Sequence, residues 1–123
     1  MVIGHEITHG FDDQGSQYGA NGNAENWWSE ADLAAFETKA QCIVDQYTAF
    51  EPLEGKHIDG DLTSGENIAD NGGLREAYLA YRNWVAKDNG GQEERRLPGL
   101  EDWSPDQLFF LGYASVSSNA FNV

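Results

Sequence analysis

Near its start the chain carries His5-Glu6-Ile7-Thr8-His9, two histidines and an acid in a spacing that can hold a metal. On a helix, residues four apart share a face. His5 and His9 can therefore aim ring nitrogens at one ion about 2 Å away. Glu6 stands beside that face, placed to reach a water next to the metal rather than the metal itself. Zinc lowers the pKa of such a water, and a carboxylate takes its proton as the oxygen attacks a polarised carbonyl. Two histidines do not complete a catalytic zinc site, which usually keeps three protein ligands and one open position. The third must come from elsewhere, from His57 or from a carboxylate. The better source is Gly65-Glu66-Asn67-Ile68-Ala69-Asp70, where two acids lie four apart on one helical face of an otherwise apolar turn. Glu66 can ligate there while Asp70 hydrogen-bonds a ligating imidazole from behind.

These residues need helices to carry them, and the sequence reads as about four helices separated by Gly/Asn-rich loops, with nothing that reads as a strand. The first runs from the N-terminus to about Phe11 and is too short to stand alone. Asp12-Asp13-Gln14-Gly15 then opens a loop with the chemistry of turns. Ser29 caps the second helix, with Glu30 and Asp32 in its positive first turn. Leu33, Phe36, Ala40, Ile43, Val44 and Tyr47 recur at helical spacing, so one face should be buried. Pro52 and Gly55 close that segment. Thr63 or Ser64 caps a third helix from about Gly65 to Asp88, ended by Asn89-Gly90. Gly72-Gly73 sits inside it at a cost of about 1 kcal/mol per glycine relative to alanine, tolerable if another backbone packs closely there. Ser104-Pro105-Asp106-Gln107 starts the fourth helix with a cap, a proline at the first position and a capping-box glutamine.

Composition narrows the function. Seven basic side chains against 21 acidic give a formal charge of −14 over 123 residues. Phosphate binding needs clustered Lys and Arg, so nucleic acid is excluded as a partner, and docking on anionic membranes is disfavoured. No apolar run is long enough to span a bilayer, and the first residues lack the basic segment and cleavage site of a signal peptide. The apolar content suits a soluble domain with a modest core rather than an acidic tail. The single cysteine, Cys42, cannot form an internal disulfide.

Taken in order, His5-Glu6-Ile7-Thr8-His9-Gly10-Phe11-Asp12-Asp13, Asn26-Trp27-Trp28, Gly65-Glu66-Asn67-Ile68-Ala69-Asp70-Asn71-Gly72-Gly73, Leu97-Pro98-Gly99 and Gln107-Leu108-Phe109-Phe110-Leu111 resemble the catalytic region of the neprilysin and endothelin-converting-enzyme family of zinc metallopeptidases. The resemblance covers residues 2 to about 116. It implies a mainly α, thermolysin-like (gluzincin) catalytic domain and peptide substrates cut on the amino side of large apolar residues. It implies one Zn2+ per chain held by His5, His9 and Glu66, with Glu6 as general base. Asp70 matches an acid described in the family as a proton donor, although orienting a zinc-bound histidine is physically easier. Asp12, three residues past His9, could do the same for that ligand.

Other residues carry weaker expectations. Trp27 and Trp28 match a family landmark and read most simply as core packing. His57 reads as solvated. Arg75 and Arg82 either pair with nearby acids or face solvent. Cys42 matches a cysteine disulfide-bonded in extracellular members, and here is expected to be a free, buried thiol.

The resemblance also implies departures. Members carry several hundred further upstream residues, including a strand that holds the substrate, and a Trp-Cys pair where Ser117-Ser118 stands. A later His and Arg that stabilise the oxyanion have no counterpart. Residues 1–123 are thus expected to be part of a peptidase catalytic domain, cut at both ends, on which the missing portion of the same enzyme packs. The isolated chain is expected to bind zinc at micromolar or weaker affinity and to show little or no hydrolysis. A non-catalytic zinc-binding remnant and an acidic interaction module are the alternatives. Family members are anchored ectoenzymes, secreted enzymes or bacterial enzymes.

Overall fold

A computed structural model describes residues 1–119, with side chains through Val116. Residues 120–123, the end of the domain expected over 1–123, lie outside the described residues, as do the side chains of Ser117 and Ser118. The chain is mainly helical, as the sequence implied. Helix α1 spans Val2–Thr8 and tightens into a 3₁₀ turn over His9–Phe11; a second 3₁₀ turn covers Gly15–Gln17. Helix α2 spans Glu30–Thr48, α3 Ser64–Lys87 and α4 Pro105–Asn119. Among the described residues there is no strand, only two isolated bridges, Tyr18 with Ala24 and Leu53 with Lys56. None of these helices is long and apolar enough to cross a membrane.

The chain divides into two compact units, with the division inside α3. One covers Val2–Gly73 and holds α1, α2 and the first part of α3; the other takes in the described chain from Leu74. In the first unit, Ser29 caps α2 as its sequence predicts. Its Oγ accepts from the Asp32 backbone N–H at 3.1 Å and donates to the Asp32 carboxylate at 2.6 Å. The six apolar positions of α2 are its six half-buried ones. In the second unit, the Gln107 side chain accepts from Ser104 N at 2.8 Å while Ser104 Oγ accepts from Gln107 N at 3.1 Å, the reciprocal capping box. Tyr78, Tyr81, Phe109 and Phe110 form an aromatic cluster there, with neighbouring ring centroids 5.2–6.0 Å apart. Arg82 pairs with Asp106 at 3.3 Å and Glu93 at 3.4 Å, the first of the two readings its sequence left open.

Three expectations need correction. The core is smaller than composition suggested: among the described residues, Ala69 and Val85 are the buried hydrophobic side chains, while Val2, Ile3, Ile7, Phe11 and Leu62 are exposed. Helical periodicity marks an apolar face without supplying what covers it. Cys42 is exposed, not buried. It lies one position, about 100° of helix rotation, off the half-buried stripe at Ile43 and Val44. Trp27 and Trp28 are not core residues. Trp27 is 44% exposed and stacks on the half-buried Trp28 at 4.2 Å between centroids.

Candidate metal centre

The site lies wholly within the Val2–Gly73 unit, where α1 meets the first turns of α3. A seven-residue helix has too few internal hydrogen bonds to persist alone, so α1 depends on what it rests against. The glycine pair of α3 supplies that surface. A Cβ on Gly72 would stand 2.7 Å from Thr8 Cγ2, and one on Gly73 would stand 2.8 Å from His5 Cα. Both are closer than real Cβ atoms approach, so the α3 backbone meets the Thr8 side chain at Gly72 and the His5 backbone at Gly73 because the methyl groups are missing. This is the close packing the sequence required of Gly72-Gly73.

That contact brings His5 and His9 opposite Glu66 and Asp70. His5 Nδ1 lies 3.0 Å from Asp70 Oδ1, and His9 Nδ1 lies 2.7 Å from Asp12 Oδ2. An ionised carboxylate can only accept, so both Nδ1 atoms carry the proton and donate it. Both Nε2 atoms then present lone pairs inward. They stand 3.0 Å apart on rings turned 87° to each other. The Glu66 carboxylate completes the group, with Oε2 3.4 Å from His5 Nε2 and Oε1 3.7 Å from His9 Nε2. One ligand atom from each of His5, His9 and Glu66 falls within 4.8 Å of the others.

The donor set fits a zinc ion. Two inward lone pairs 3.0 Å apart repel unless a proton or a cation stands between them. Tetrahedral zinc with bonds of about 2.0–2.1 Å would separate its ligand atoms by about 3.3 Å, close to the spacings found. The acids around His9 favour positive charge there. The hydrogen bond to Asp12 raises the His9 pKa above the usual imidazole range; burial opposes this, and Glu66, Asp12 and Glu6 add to it. Burial pushes the Asp12 carboxyl up, but the hydrogen bonds from His9 and from the Gly15 and Gln14 backbone outweigh it, leaving the pKa lowered.

The remaining sequence-derived residues fall as follows. Glu6 is exposed on α1, next to His5, and near enough to His9 to act on its charge. His57 stays outside the group: it is exposed, with Nδ1 3.2 Å from the Thr48 carbonyl. Arg75 is exposed. Sequence reasoning missed how Asp12 is itself held. Asp12 is buried, and its Oδ1 accepts from the backbone N–H of Gln14 at 2.9 Å and of Gly15 at 2.7 Å. An aspartate followed by Gln-Gly is the signal that could have shown it, since Asx side chains bond their own backbone two residues on.

Comparison with known proteins follows the same line. The family model for peptidase family M13 matches residues 1–121. Neprilysin-11 of Caenorhabditis elegans is 56% identical over 114 residues, which are 92% of this chain and 13% of that protein. Human endothelin-converting enzyme 1 is 47% identical over 116 residues, 94% of this chain and 14% of that one. The crystal structure of the zinc metalloprotease ZMP1 of Mycobacterium tuberculosis, in complex with an inhibitor, matches with a TM-score of 0.76 at 38% identity, over 92% of this chain and 17% of its own. The chain spans well under a fifth of the length of each of these proteins.

Proposed function

The chain belongs to peptidase family M13, and from that premise we propose that it is part of the catalytic domain of a zinc metalloendopeptidase acting on peptides. His5 and His9, through Nε2, and Glu66, through its carboxylate, hold one zinc ion. When bound, the ion supplies a positive charge that acidifies a water and polarises a peptide carbonyl. Glu6 is the general base that takes the proton from that water at its carboxylate. Asp70 and Asp12 fix the tautomer and the ring plane of His5 and His9, which raises the basicity of the inward nitrogens. For Asp70, the 3.0 Å contact with His5 Nδ1 favours this orienting role over proton donation.

The observation that carries the reading is the pair of inward Nε2 atoms 3.0 Å apart with the Glu66 carboxylate beside them. By family resemblance the reading is of an extracellular ectoenzyme domain or of a bacterial secreted or cell-associated one. The exposed apolar side chains support the reading that the remainder of the same enzyme packs on this part. The chain on its own is expected to hydrolyse peptides weakly or not at all. The Glu66 side chain is 71% exposed, and charge stabilisation loses most of its strength in a site open to water. A zinc-binding remnant without turnover is the second reading.

The test is a zinc titration joined to cleavage of a quenched peptide. In a protein carrying the whole domain, one zinc per chain with zinc-dependent cleavage that Glu6→Gln abolishes while zinc is retained is the expected result for the peptidase, whereas the isolated chain should bind zinc with little or no cleavage. Zinc bound without cleavage, in a protein carrying the whole domain, supports the remnant. A chain that takes up no zinc overturns both.

A further inference from the structure

We propose that Trp28 is a positioning residue for the metal centre, acting on His9 through the turn that holds Asp12. The inference rests on the zinc reading above. The Trp28 indole N–H donates to the Ser16 carbonyl at 2.9 Å. Ser16 is buried, and its own N–H donates to the Asp12 carbonyl at 3.1 Å. Asp12 Oδ1 is held by the N–H groups of Gln14 and Gly15, which leaves Oδ2 aimed at His9 Nδ1. A Cβ on Gly15 would collide with the His9 carbonyl, so this turn lies directly against the ligand's own backbone. The indole is the outer end of a continuous chain of hydrogen bonds whose inner end is the ring plane of His9.

The other side of Trp28 explains why it can serve as an anchor. Its ring packs on Phe36 of α2 at 5.4 Å between centroids, and its backbone N–H donates to the Asn26 side chain at 3.2 Å. The second 3₁₀ turn, Gly15–Gln17, is thereby fastened to the longer α2. A short turn with exposed neighbours on both sides would otherwise drift, and the carboxylate it carries would drift with it. Removing the indole N–H frees the Ser16 carbonyl and loosens the frame that fixes Asp12. His9 then loses part of its orientation while every ligand remains present.

Zinc affinity, measured by competition with a chromophoric chelator, is the readout, and it needs no turnover. Trp28→Phe removes the N–H and keeps an aromatic ring against Phe36. Loss of an outer-shell partner costs about 10–100-fold in metal affinity; acting one step further out, Trp28→Phe should weaken zinc by about 3–10-fold. Asp12→Asn alone should cost more. In the Asp12→Asn background Trp28→Phe should cost nothing further, because residues on one pathway are not additive. If Trp28→Phe fails to fold, replacing Trp28 by benzothienylalanine, which keeps the indole's shape without its N–H, should give the same loss of about 3–10-fold. An unchanged zinc affinity in a folded variant overturns the proposal, and so does a full additive loss in the Asp12→Asn background. Failure of the unmodified protein to bind zinc overturns the metal-site reading as well, which sets that failure apart from one confined to Trp28.

Discussion

His5 and His9 point their Nε2 atoms at each other across 3.0 Å, and each does so because a carboxylate holds its far side. The two carboxylates reach the site by different routes. Asp70 belongs to α3 and crosses to α1, whereas Asp12 follows His9 by three residues and is locked by its own turn. Damage to the two halves of the centre should therefore read out differently.

Ligand removal should be the most severe change. Changing an outer-shell partner alone typically costs about 10–100-fold in metal affinity, so His9→Ala, His5→Ala and Glu66→Ala should each exceed about 100-fold. Calorimetry or chelator competition checks this, with His57→Ala as the silent comparison because His57 lies outside the group.

The Asp12–His9 pair should set opposite pH trends with and without zinc. The folded His9 pKa is raised, so the pair contributes fully to metal-free stability below about pH 6.5, the unfolded value. That contribution is lost as pH rises through the raised folded value. The folded Asp12 pKa is lowered, so its contribution is present above about pH 3.9 and lost as pH falls through the lowered value. With a chelator present, the pair should stabilise most in the mildly acidic range between these limits. Zinc needs neutral His9, so its affinity should climb as pH rises. Asp12→Asn should flatten both trends, as thermal melting across pH with and without zinc would record.

Two glycine substitutions should have opposite signs. Gly73→Ala drives a methyl group into the His5 backbone, which cannot rotate aside; overpacking of this kind costs about 1–3 kcal/mol, and zinc affinity should fall with it. Gly112→Ala in α4 meets nothing within 4 Å and should stabilise by about 0.4–1 kcal/mol, by restricting the unfolded chain. Chemical denaturation of both variants checks the pair.

Glu6→Gln should separate binding from turnover. Glu6 is not among the three candidate ligands, so zinc affinity should stay within about threefold, well below the effect of losing an orienting partner. Any hydrolysis should fall by about 10²–10⁴-fold, the usual worth of a general base.

What was legible in the sequence was local. The caps at Ser29 and Ser104, the i,i+4 spacing of His5 with His9 and of Glu66 with Asp70, and the need for close packing at Gly72-Gly73 all follow from contacts within a few residues. The exposure of Cys42 and Trp27 and the small core were not legible. Periodicity states that α2 has an apolar face, but it says nothing about how much neighbouring structure covers it. The backbone clamp on Asp12 was half legible, because an aspartate three residues past a ligand suggests a partner without showing what keeps that partner still. For Trp28 the sequence signals only a hydrophobe, because nothing local shows that its N–H reaches the Ser16 carbonyl.

The contact at Gly72-Gly73 also limits how the centre can change over evolutionary time. Helices separated by large side chains can be drawn together or spread apart by exchanging those side chains, which gives a binding cleft many intermediate widths. Here the α3 side has no side chain to shorten, and lengthening Gly73 strikes the His5 backbone while lengthening Gly72 strikes the Thr8 side chain. At Gly73 the separation of the two helices is set by direct backbone contact. Adjustment to a smaller or larger ion is left to the reach of one flexible acid, Glu66, whose side chain is the most exposed of the three candidate ligands.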